Sequence, residues 1–358
     1  MTNMNATHER RREALRQRLR DEGLDALLVS HAANRYYLSG FELHDSQCNE
    51  SAGWLVVAAN GRDKLLTDPR YEDAAKRVFP AEDVFIYAGR KFDQVGPFLK
   101  GLGIGSFGFE PKAMHLYDYE KLREYVELAP TENLVEDLRV IKDEEEIKRM
   151  KAACALNHRV FRALEDSLRP GQTEEEVAWN AERMFREWGA SGLSFSTIVG
   201  VGPNAALPHA IPGNKALKEN ELVLIDMGCR LNDYCSDQTR TFWIGENVSE
   251  RFRSVREMVK TAQQKAIEII KPGLPLAEAY KAARDFFEEQ DVADRFTHGI
   301  GHGIGLETHE APSLSSIASG VLRPGMVVTV EPGLYWPDWG GVRWEFEVLV
   351  TEDGCEVL

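Results

Sequence analysis

Four acidic residues in the second half of the chain stand in segments that have the pattern of core strands. Asp226 ends the apolar segment ELVLIDMG and Glu331 ends GMVVTVEPG, while Asp237 and Glu345 lie within YCSDQTRTFWI and GVRWEFEVLV. Acidic side chains are almost never fully buried unless a partner neutralises them. Four carboxylates carried on such strands therefore predict a bound cation.

The spacing of the two aspartates supports this prediction. If their segments form a hairpin that turns about Leu231 and Asn232, Asp226 and Asp237 face each other, with Cβ atoms about 5 Å apart. Like charges at that distance repel each other unless a positive charge lies between them, and a divalent ion would supply it. The alternative is that both aspartates face water at the ends of their strands.

A similar alternative applies to the segment that carries Glu345. Alternation with a period of two places Arg343, Glu345 and Glu347 on one face of the strand and apolar residues on the other. Such a strand often has its charged face in water, and Glu345 would then bind nothing. In an internal repeat of the chain this segment matches the one that carries Asp237, which favours a functional role for Glu345.

The stretch HGIGHGIGLETHE, residues 298–310, contains His298, His302 and His309. Its glycines disfavour a helix and indicate a strand or loop whose backbone approaches a ligand or an ion closely. Histidine is a common metal ligand, and the flanking glycines would let His302 reach a bound ion. His209, in LPHAIPG, is a further candidate for the same site.

A set of two aspartates, two glutamates and one histidine consists mostly of oxygen ligands. Such a set suits a pair of Mn, Co, Fe or Zn ions better than a structural tetrahedral zinc. Paired ions activate water and stabilise both oxygens of a hydrolytic displacement. The residues therefore predict a hydrolase with two divalent metal ions. We expect Mn, with Co, Zn or Fe as the alternatives, since these ions suit similar ligands and availability decides among them.

The elements that would position these residues fall into two predicted domains. Residues 1–137 predict a small α/β domain, in which an amphipathic helix near 8–22 precedes the apolar strand LDALLVS and the short apolar segments GWLVVAA, DKLLT and EDVFIYA. A linker is expected at 138–143. The second domain, 143–358, changes to a pattern of long helices.

The second domain also repeats its own pattern. LRPGQTEEEVAWNAERMF at 168–185 resembles IKPGLPLAEAYKAARDFF at 270–287, and each half then supplies two strands that carry acids. DEEE at 143–146 and TEEE at 173–176 predict capping boxes at two helix starts. The repeat indicates two similar halves about a pseudo-twofold axis, so that the four carboxylates converge from opposite sides.

Composition argues against several other classes of protein. A net charge of −15 and a pI near 5.2 disfavour binding to nucleic acid or to anionic membranes. Neither an apolar run of the roughly 18 residues that a membrane-spanning helix needs nor a secretory signal is recognisable, so a cytoplasmic protein is expected. The five cysteines have no CxxC spacing, which favours reduced, mostly structural thiols.

Five dispersed motifs together resemble a known family. IDMG, YCSDQTRTF, HGIGHGIGLETHE, EPGLY and GVRWE are similar, in order and approximate spacing, to the motifs of the metallopeptidase family of aminopeptidase P, prolidase and methionine aminopeptidase. The resemblance covers nearly the whole chain. It implies a pita-bread catalytic domain behind a small creatinase/prolidase-like domain, which methionine aminopeptidases lack and which ANRYYLSGF and LLTDPRYEDAA resemble.

The resemblance implies a role for each residue of the site. Two metal ions would be bound by Asp226, Asp237, His302, Glu331 and Glu345. Asp237 and Glu345 would bridge the ions, and Glu331 would also carry a proton from the attacking water to the leaving nitrogen. His209 and His309 would hold the substrate and the oxyanion. Further active-site positions of the proline-specific members are matched by His298, Tyr335 and Arg343.

Creatinase lacks the metal ligands, whereas this chain has all five. The resemblance therefore implies hydrolysis of the bond between an N-terminal residue and proline in short peptides, by an Xaa-Pro aminopeptidase or an Xaa-Pro dipeptidase. It also implies a homodimer in which the first domain of one subunit lies near the cleft of the other. The alternatives are a metal-free binding protein on the same fold and a non-peptidase hydrolase or lyase acting on a small acid or amide.

The chain departs from the family pattern close to the ligands. Where the family usually reads Arg-Ile-Glu-Asp, this chain has Arg343, Trp344, Glu345 and Phe346. The bulkier neighbours would either reshape the adjoining pocket or repack the core, and repacking is the favoured explanation. The segment APSLSS, after the HE pair that ends the histidine-rich stretch, has no arginine to bind a substrate carboxylate. Cys235 would share the face of Asp237 and is expected to be a small buried residue.

Overall fold

A computed structural model describes residues 2–44 and 51–358, so Cys48 lies outside the described residues. The chain divides into two units, Met1–Arg139 and Val140–Leu358. The division falls within the segment 138–143, which the sequence predicts to be the linker. None of the helices in the described ranges is long enough and apolar enough to cross a bilayer.

The first unit is built on a six-stranded sheet. Its elements in chain order are α1 (Thr2–Asp21), β1 (Ala26–Val29), α2 (Ala32–Ser39), β2 (Trp54–Ala58), β3 (Lys64–Thr67), α3 (Glu72–Val78), β4 (Val84–Ile86), α4 (Lys91–Gly101), β5 (Phe107–Phe109), α5 (Leu116–Leu122), β6 (Leu128–Pro130) and α6 (Glu136–Arg139). The strand order is β4-β3-β2-β1-β5-β6, and β2 runs antiparallel to both of its neighbours, while the other described pairs are parallel. The four apolar segments predicted from the sequence are β1 to β4.

A buried carboxylate lies at the N-terminal end of α2. Glu110, just after β5, accepts hydrogen bonds from the backbone N–H groups of Ser30 and His31 and from Asn34 Nδ2, each at 2.7 Å. Burial raises the pKa of Glu110, and the hydrogen bonds from Asn34 and His31 oppose that rise. Protein donors therefore satisfy this acid without help from an ion.

The second unit contains two long helical pairs and several short sheets. Its elements in chain order are α7 (Glu144–Ser167), α8 (Glu174–Glu187), β7 (Gly192–Leu193), β8 (Ile198–Val201), β9 (Glu221–Met227), β10 (Cys229–Leu231), β11 (Tyr234–Cys235), β12 (Gln238–Ile244), α9 (Glu250–Ile269), α10 (Leu276–Glu289), β13 (Gly301–Gly303), β14 (Glu310–Leu314), β15 (Val327–Val330), β16 (Gly333–Trp336), β17 (Gly340–Arg343), β18 (Phe346–Val350) and β19 (Cys355–Val357). The sheets have the orders β12-β9-β8, β11-β10-β7, β14-β13-β15-β18-β19 and β16-β17.

Both predicted capping boxes are present. At the start of α7, the Asp143 side chain accepts the N–H of Glu146, and the Glu146 carboxylate accepts the N–H of Asp143. Thr173 and Glu176 make the same reciprocal pair at the start of α8. Each pair satisfies two backbone donors that a helix start would otherwise leave free, which explains why these helices begin where the sequence predicts.

The predicted repeat extends to individual hydrogen bonds. Gly171 donates its N–H to Leu217 O at 2.9 Å in the first half, and Gly273 donates to Leu322 O at 2.8 Å in the second. The pair α7 and α8 shares a core with β8 and β9, and the pair α9 and α10 shares a core with β15 and β18. The mixed α/β class is confirmed, with two similar halves in the second unit.

The hairpin of β10 and β11 differs from its predicted register by two residues. Leu231 pairs with Tyr234, and in the ladder that follows Asp226 lies opposite Thr239. The turn is therefore at Asn232 and Asp233, which both have positive φ, 50° and 74°. Consecutive positive φ values match the right-handed twist of a two-residue hairpin, and Asn and Asp tolerate them. A shift by an even number of residues keeps every side chain on its face.

The glycines of the histidine-rich stretch allow neighbouring strands to approach. A Cβ on Gly301 would lie 1.9 Å from the carbonyl oxygen of Thr329 on β15, and one on Gly303 would lie 2.1 Å from that of Ala311 on β14. Gly299 and Gly301 also line the cavity described below, so the predicted approach of this backbone to a ligand or an ion stays a prediction. The close contacts are made with other strands of the protein, which have no room for a side chain.

Candidate metal centre

The predicted ligands come together from both halves of the second unit. Asp226, Asp237 and Glu345 offer oxygens that lie within 4.8 Å of one another, and Asp237 forms a second such group with His302 and His309. Glu331 Oε1 lies 3.4 Å from His302 Nε2. All five predicted ligands thus converge, and Asp237 is the residue that the two groups share.

Strand ends and interruptions position these side chains. Asp237 lies between β11 and β12, Glu331 follows β15 directly, and Glu345 lies between β17 and β18. At such points a side chain can turn away from the regular alternation of the strand. The N–H of Glu345 still donates to Thr239 O at 3.2 Å, which ties the second half to the first.

The acids are buried together with little compensation from the protein. Asp226, Asp237 and Glu345 are only 7%, 5% and 1% exposed, so the alternative in which the aspartates face water at strand ends is wrong. Burial, and then the neighbouring carboxylates, raise the pKa values of Asp237 and Glu345 well above their ordinary range, and burial raises that of Glu331. Asp226 Oδ1 and Glu345 Oε1 are buried without a hydrogen-bond partner in the described part of the chain.

This donor set fits divalent cations. Two orphaned carboxylate oxygens, further acids beside them and one imidazole nitrogen are the ligands that Mn, Co, Fe and Zn accept. His302 Nδ1 lies 3.0 Å from the carbonyl oxygen of Gly303, which can only accept a hydrogen bond. Nδ1 therefore carries the proton, and Nε2 presents its lone pair to the acids. Burial lowers the pKa of His302 and thus favours this neutral form.

The residues predicted to bind substrate form one hydrogen-bonded chain. Arg343 donates to Asp226 Oδ2 at 2.7 Å and to the Tyr335 hydroxyl at 2.9 Å, and that hydroxyl lies 2.9 Å from His298 Nε2. His298 Nδ1 lies 2.7 Å from Gly299 O and must donate to it, so Nε2 accepts the Tyr335 proton. These hydrogen bonds orient the Asp226 carboxylate and the His298 ring together.

A cavity of about 830 Å³ opens over the acids. Asp226, Asp237, His302 and Glu331 contribute to its wall, as do His209, His298, His309 and Arg343. Tyr335 and Glu345 lie behind the wall. Sequence reasoning missed the apolar part of the lining, which includes Phe195, Ile198, Pro208, Ile211 and Pro212. A single apolar residue in a loop or at a strand end has no pattern that separates a pocket wall from an ordinary surface or core position.

The strand around Glu345 has its polar face inside. Arg343, Glu345 and Glu347 are 2%, 1% and 0% exposed, so the solvated-face alternative is wrong. The guanidinium of Arg240 covers the opposite face, 4.7 Å from the Trp344 ring centroid and 4.3 Å from that of Phe346. Both aromatic residues therefore serve packing, as predicted for this departure from the family pattern.

Cys235 is a buried thiol. Its side chain has no exposed surface, and burial raises its pKa to about 11. A thiol with a raised pKa is a poor nucleophile at neutral pH. The expectation of a small buried residue is confirmed.

Two family models match the chain. A model described as metallopeptidase family M24 matches residues 148–352, and one described as the creatinase/prolidase N-terminal domain matches residues 11–141. The chain belongs to metallopeptidase family M24. The predicted resemblance is confirmed, and so is the predicted fold, a creatinase-like domain followed by an M24 catalytic domain.

Relatives with both proline-directed activities in their names resemble this M24 peptidase. An Xaa-Pro dipeptidase of Pyrococcus horikoshii is 34% identical over 339 residues, 94% of this chain and 92% of its own. The structure of an Xaa-Pro dipeptidase from Bacillus anthracis matches with a TM-score of 0.91 at 36% identity, covering 98% of this chain and 97% of that one. An X-Pro aminopeptidase from Thermotoga maritima matches with a TM-score of 0.83 at 32% identity, covering 94% and 95%.

Proposed function

We propose that this M24 peptidase hydrolyses the bond between an N-terminal residue and proline, with two divalent ions held by Asp226, Asp237, His302, Glu331 and Glu345. The observation that carries the proposal is the position of Asp237, which lies with Asp226 and Glu345 in a buried acidic cluster under an open cavity, its Oδ2 3.7 Å from His302 Nε2. The names of the relatives support the preference for proline. Mn as the ion and a homodimer belong to the same proposal and rest on resemblance to the family.

Two divalent ions, when bound, supply a nucleophilic water at neutral pH and polarise the peptide carbonyl. The protein provides the proton transfer. Glu331 lies in the cavity wall, and Thr329 Oγ1 donates to its Oε1 at 3.2 Å. In the proposed reaction Glu331 takes a proton from the attacking water as the C–O bond forms. It then gives that proton to the proline nitrogen as the C–N bond breaks.

His209 and His309 are the proposed donors to the substrate oxygen. Both line the cavity and are exposed within it. The His309 ring centroid lies 4.0 Å from that of His302, so an N–H of His309 can reach an oxygen bound beside the ligands. Burial lowers the pKa of His309 and favours a neutral ring, which still carries one N–H donor. Donors held before charge develops stabilise the oxyanion.

Metal-dependent hydrolysis of matched peptides tests this proposal. We expect the purified protein to cleave an Xaa-Pro dipeptide or an Xaa-Pro-Xaa tripeptide, to lose that activity in a chelator and to regain it with Mn, Co or Zn. The ratio of the two rates would assign dipeptidase or aminopeptidase activity. Xaa-Ala peptides of the same lengths are the control for proline preference.

Three results would overturn the proposal. Turnover that persists in the chelator would exclude the metal-dependent mechanism, and equal cleavage of the Xaa-Ala peptides would exclude proline preference. A metal-loaded protein that cleaves none of the peptides would favour the non-peptidase alternative.

A further inference from the structure

A fifth buried acid lies next to the candidate ligands. Glu347, on β18, is fully buried and lies two residues after Glu345. Its Oε1 accepts the backbone N–H of Asp237 at 2.5 Å, and its Oε2 accepts the thiol of Cys154, on α7, at 2.7 Å. It does not contribute to the cavity wall. Glu347 therefore contacts the site through the backbone of one residue, Asp237.

Without Glu347, the backbone N–H of Asp237 would lack a hydrogen-bond acceptor. The ladder between β9 and β12 ends with Gln238 opposite Met227, so the N–H of Asp237 has no partner on the neighbouring strand. Asn157, on α7, donates to Met227 O at 2.8 Å and to Ser236 Oγ at 3.2 Å. Side chains thus supply the hydrogen bonds where the strand pairing is interrupted. The carboxylate of Glu347 supplies the one to the N–H of Asp237.

Stability alone does not account for an acid at position 347. A carboxylate without exposure loses its hydration, and a thiol is only a weak donor in return. The backbone that Glu347 holds is that of the residue shared by both groups of candidate ligands.

We propose that Glu347 is a positioning residue, whose carboxylate holds the backbone of Asp237 so that the Asp237 side chain stays in the acidic cluster that would bind the metal ions. The inference rests on the metal site of the proposed function. Partners behind the ligands orient them, and removing such a partner typically lowers metal affinity by about 10- to 100-fold. Glu347 acts from the half of the repeat opposite to Asp237, so it also joins the two halves at the metal site.

Two variants separate the hydrogen bond from the charge. Glu347→Met keeps the length of the side chain but removes the acceptor, and we expect Mn affinity, measured from the electron paramagnetic resonance signal of free Mn, to fall by about 10- to 100-fold. Glu347→Gln keeps an acceptor for the Asp237 N–H and should recover most of that loss. Because Glu347→Met leaves the buried N–H of Asp237 without an acceptor, its chelated form should also lose some stability. A merely structural acid would lower the unfolding temperature but leave the Mn affinity of the folded protein unchanged.

Cys154→Ala is the matched control, because it removes the other contact of the same carboxylate and leaves the bond to Asp237. We expect it to retain Mn affinity. The proposal is overturned if Glu347→Met binds Mn as the unmodified protein does, if Glu347→Gln loses as much affinity as Glu347→Met, or if Cys154→Ala loses as much. If Glu347→Met does not fold, Glu347→Asp, one methylene too short to reach, should show the same loss, and failure of both to fold would assign Glu347 to folding instead.

The outcomes distinguish this inference from the proposed function. An unmodified protein that binds none of Mn, Co and Zn would end both. Equal Mn affinity in Glu347→Met and in the unmodified protein would end only the role of Glu347. A protein that binds Mn but cleaves no Xaa-Pro peptide would end only the proposed peptidase specificity.

Discussion

The two units of the chain treat buried carboxylates in opposite ways. Glu110 in the first unit has backbone and amide donors on both carboxylate oxygens, and these hydrogen bonds oppose the rise in its pKa. In the second unit the neighbours of Asp237 are other acids, which add to the effect of burial and raise its pKa well above the ordinary range. The protein itself satisfies the carboxylate of Glu110, whereas the ionised acids around Asp237 need added positive charge to be favourable.

The difference shows that burial of an acid does not by itself indicate a metal site. A metal site is indicated where a buried acid has few hydrogen-bond donors and several like charges around it. Arg343 is a cation in contact with the cluster, and it bonds one oxygen of Asp226, while Asp226 Oδ1 and Glu345 Oε1 keep no partner within the described residues. Unsatisfied oxygens beside further acids are the feature that Glu110 lacks.

The largest effect is expected from Asp237→Asn, which keeps the shape of the residue common to both ligand groups but removes its charge. We expect kcat/KM on an Xaa-Pro peptide to fall by more than about 1,000-fold, since metal ions supply several kcal/mol of transition-state stabilisation and each 1.4 kcal/mol is a factor of ten. Bound metal, measured by elemental analysis, should fall as well. Asp338→Asn, at an exposed position of the same unit, is the control and should match the unmodified protein. Full activity in Asp237→Asn would refute the central position of this residue.

An intermediate effect is expected from Glu110→Leu, which leaves the N–H groups of Ser30 and His31 and the amide of Asn34 without their acceptor. Because these buried donors lose a charged partner, the substitution should lower the free energy of unfolding of the first unit by about 3 kcal/mol, measured by urea denaturation. Metal content should not change. The exposed Glu120→Gln serves for comparison. Loss of metal from folded Glu110→Leu would contradict the distinction between the two acidic groups.

The last prediction is a pH dependence of stability that only the metal-free protein should show in full. The folded-state pKa values of Asp237, Glu331 and Glu345 are raised, so above their ordinary range the folded protein binds more protons than the unfolded chain does. The free energy of unfolding of chelated protein should therefore increase as the pH falls from about 8 to 6, by about 1.4 kcal/mol per pH unit for each extra proton bound.

Urea denaturation of chelated and Mn-loaded protein at several pH values measures this effect. Groups away from the site, such as Glu110, whose pKa is also raised, contribute equally to both samples. The difference between the samples therefore reports the titrating groups at the metal site, which include His302 as well as the acids. Equal pH dependence in the two samples would show that the cluster does not gain its stabilising charge from metal.

Local sequence patterns predicted much of this molecule. The two capping boxes, the apolar strands of the first unit and the acids at strand ends depend on residues a few positions apart, and the structure has them. The hairpin register was wrong by two residues because the hydrophobic pattern does not locate a turn. The dipeptide Asn232-Asp233, which tolerates positive φ at both positions, carried the missing signal.

By itself, the sequence determined the family, the order of elements and the acids that gather at the site, since these follow from residue types and short spacings. Only the tertiary structure decided which carboxylate oxygens are satisfied. Asp226 is bonded to Arg343, which lies 117 residues further along the chain. The N–H of Asp237 is bonded to Glu347, 110 residues further along. Hydrogen bonding depends on distances of about 3 Å in space, and no local pattern encodes such contacts between the two halves of the repeat.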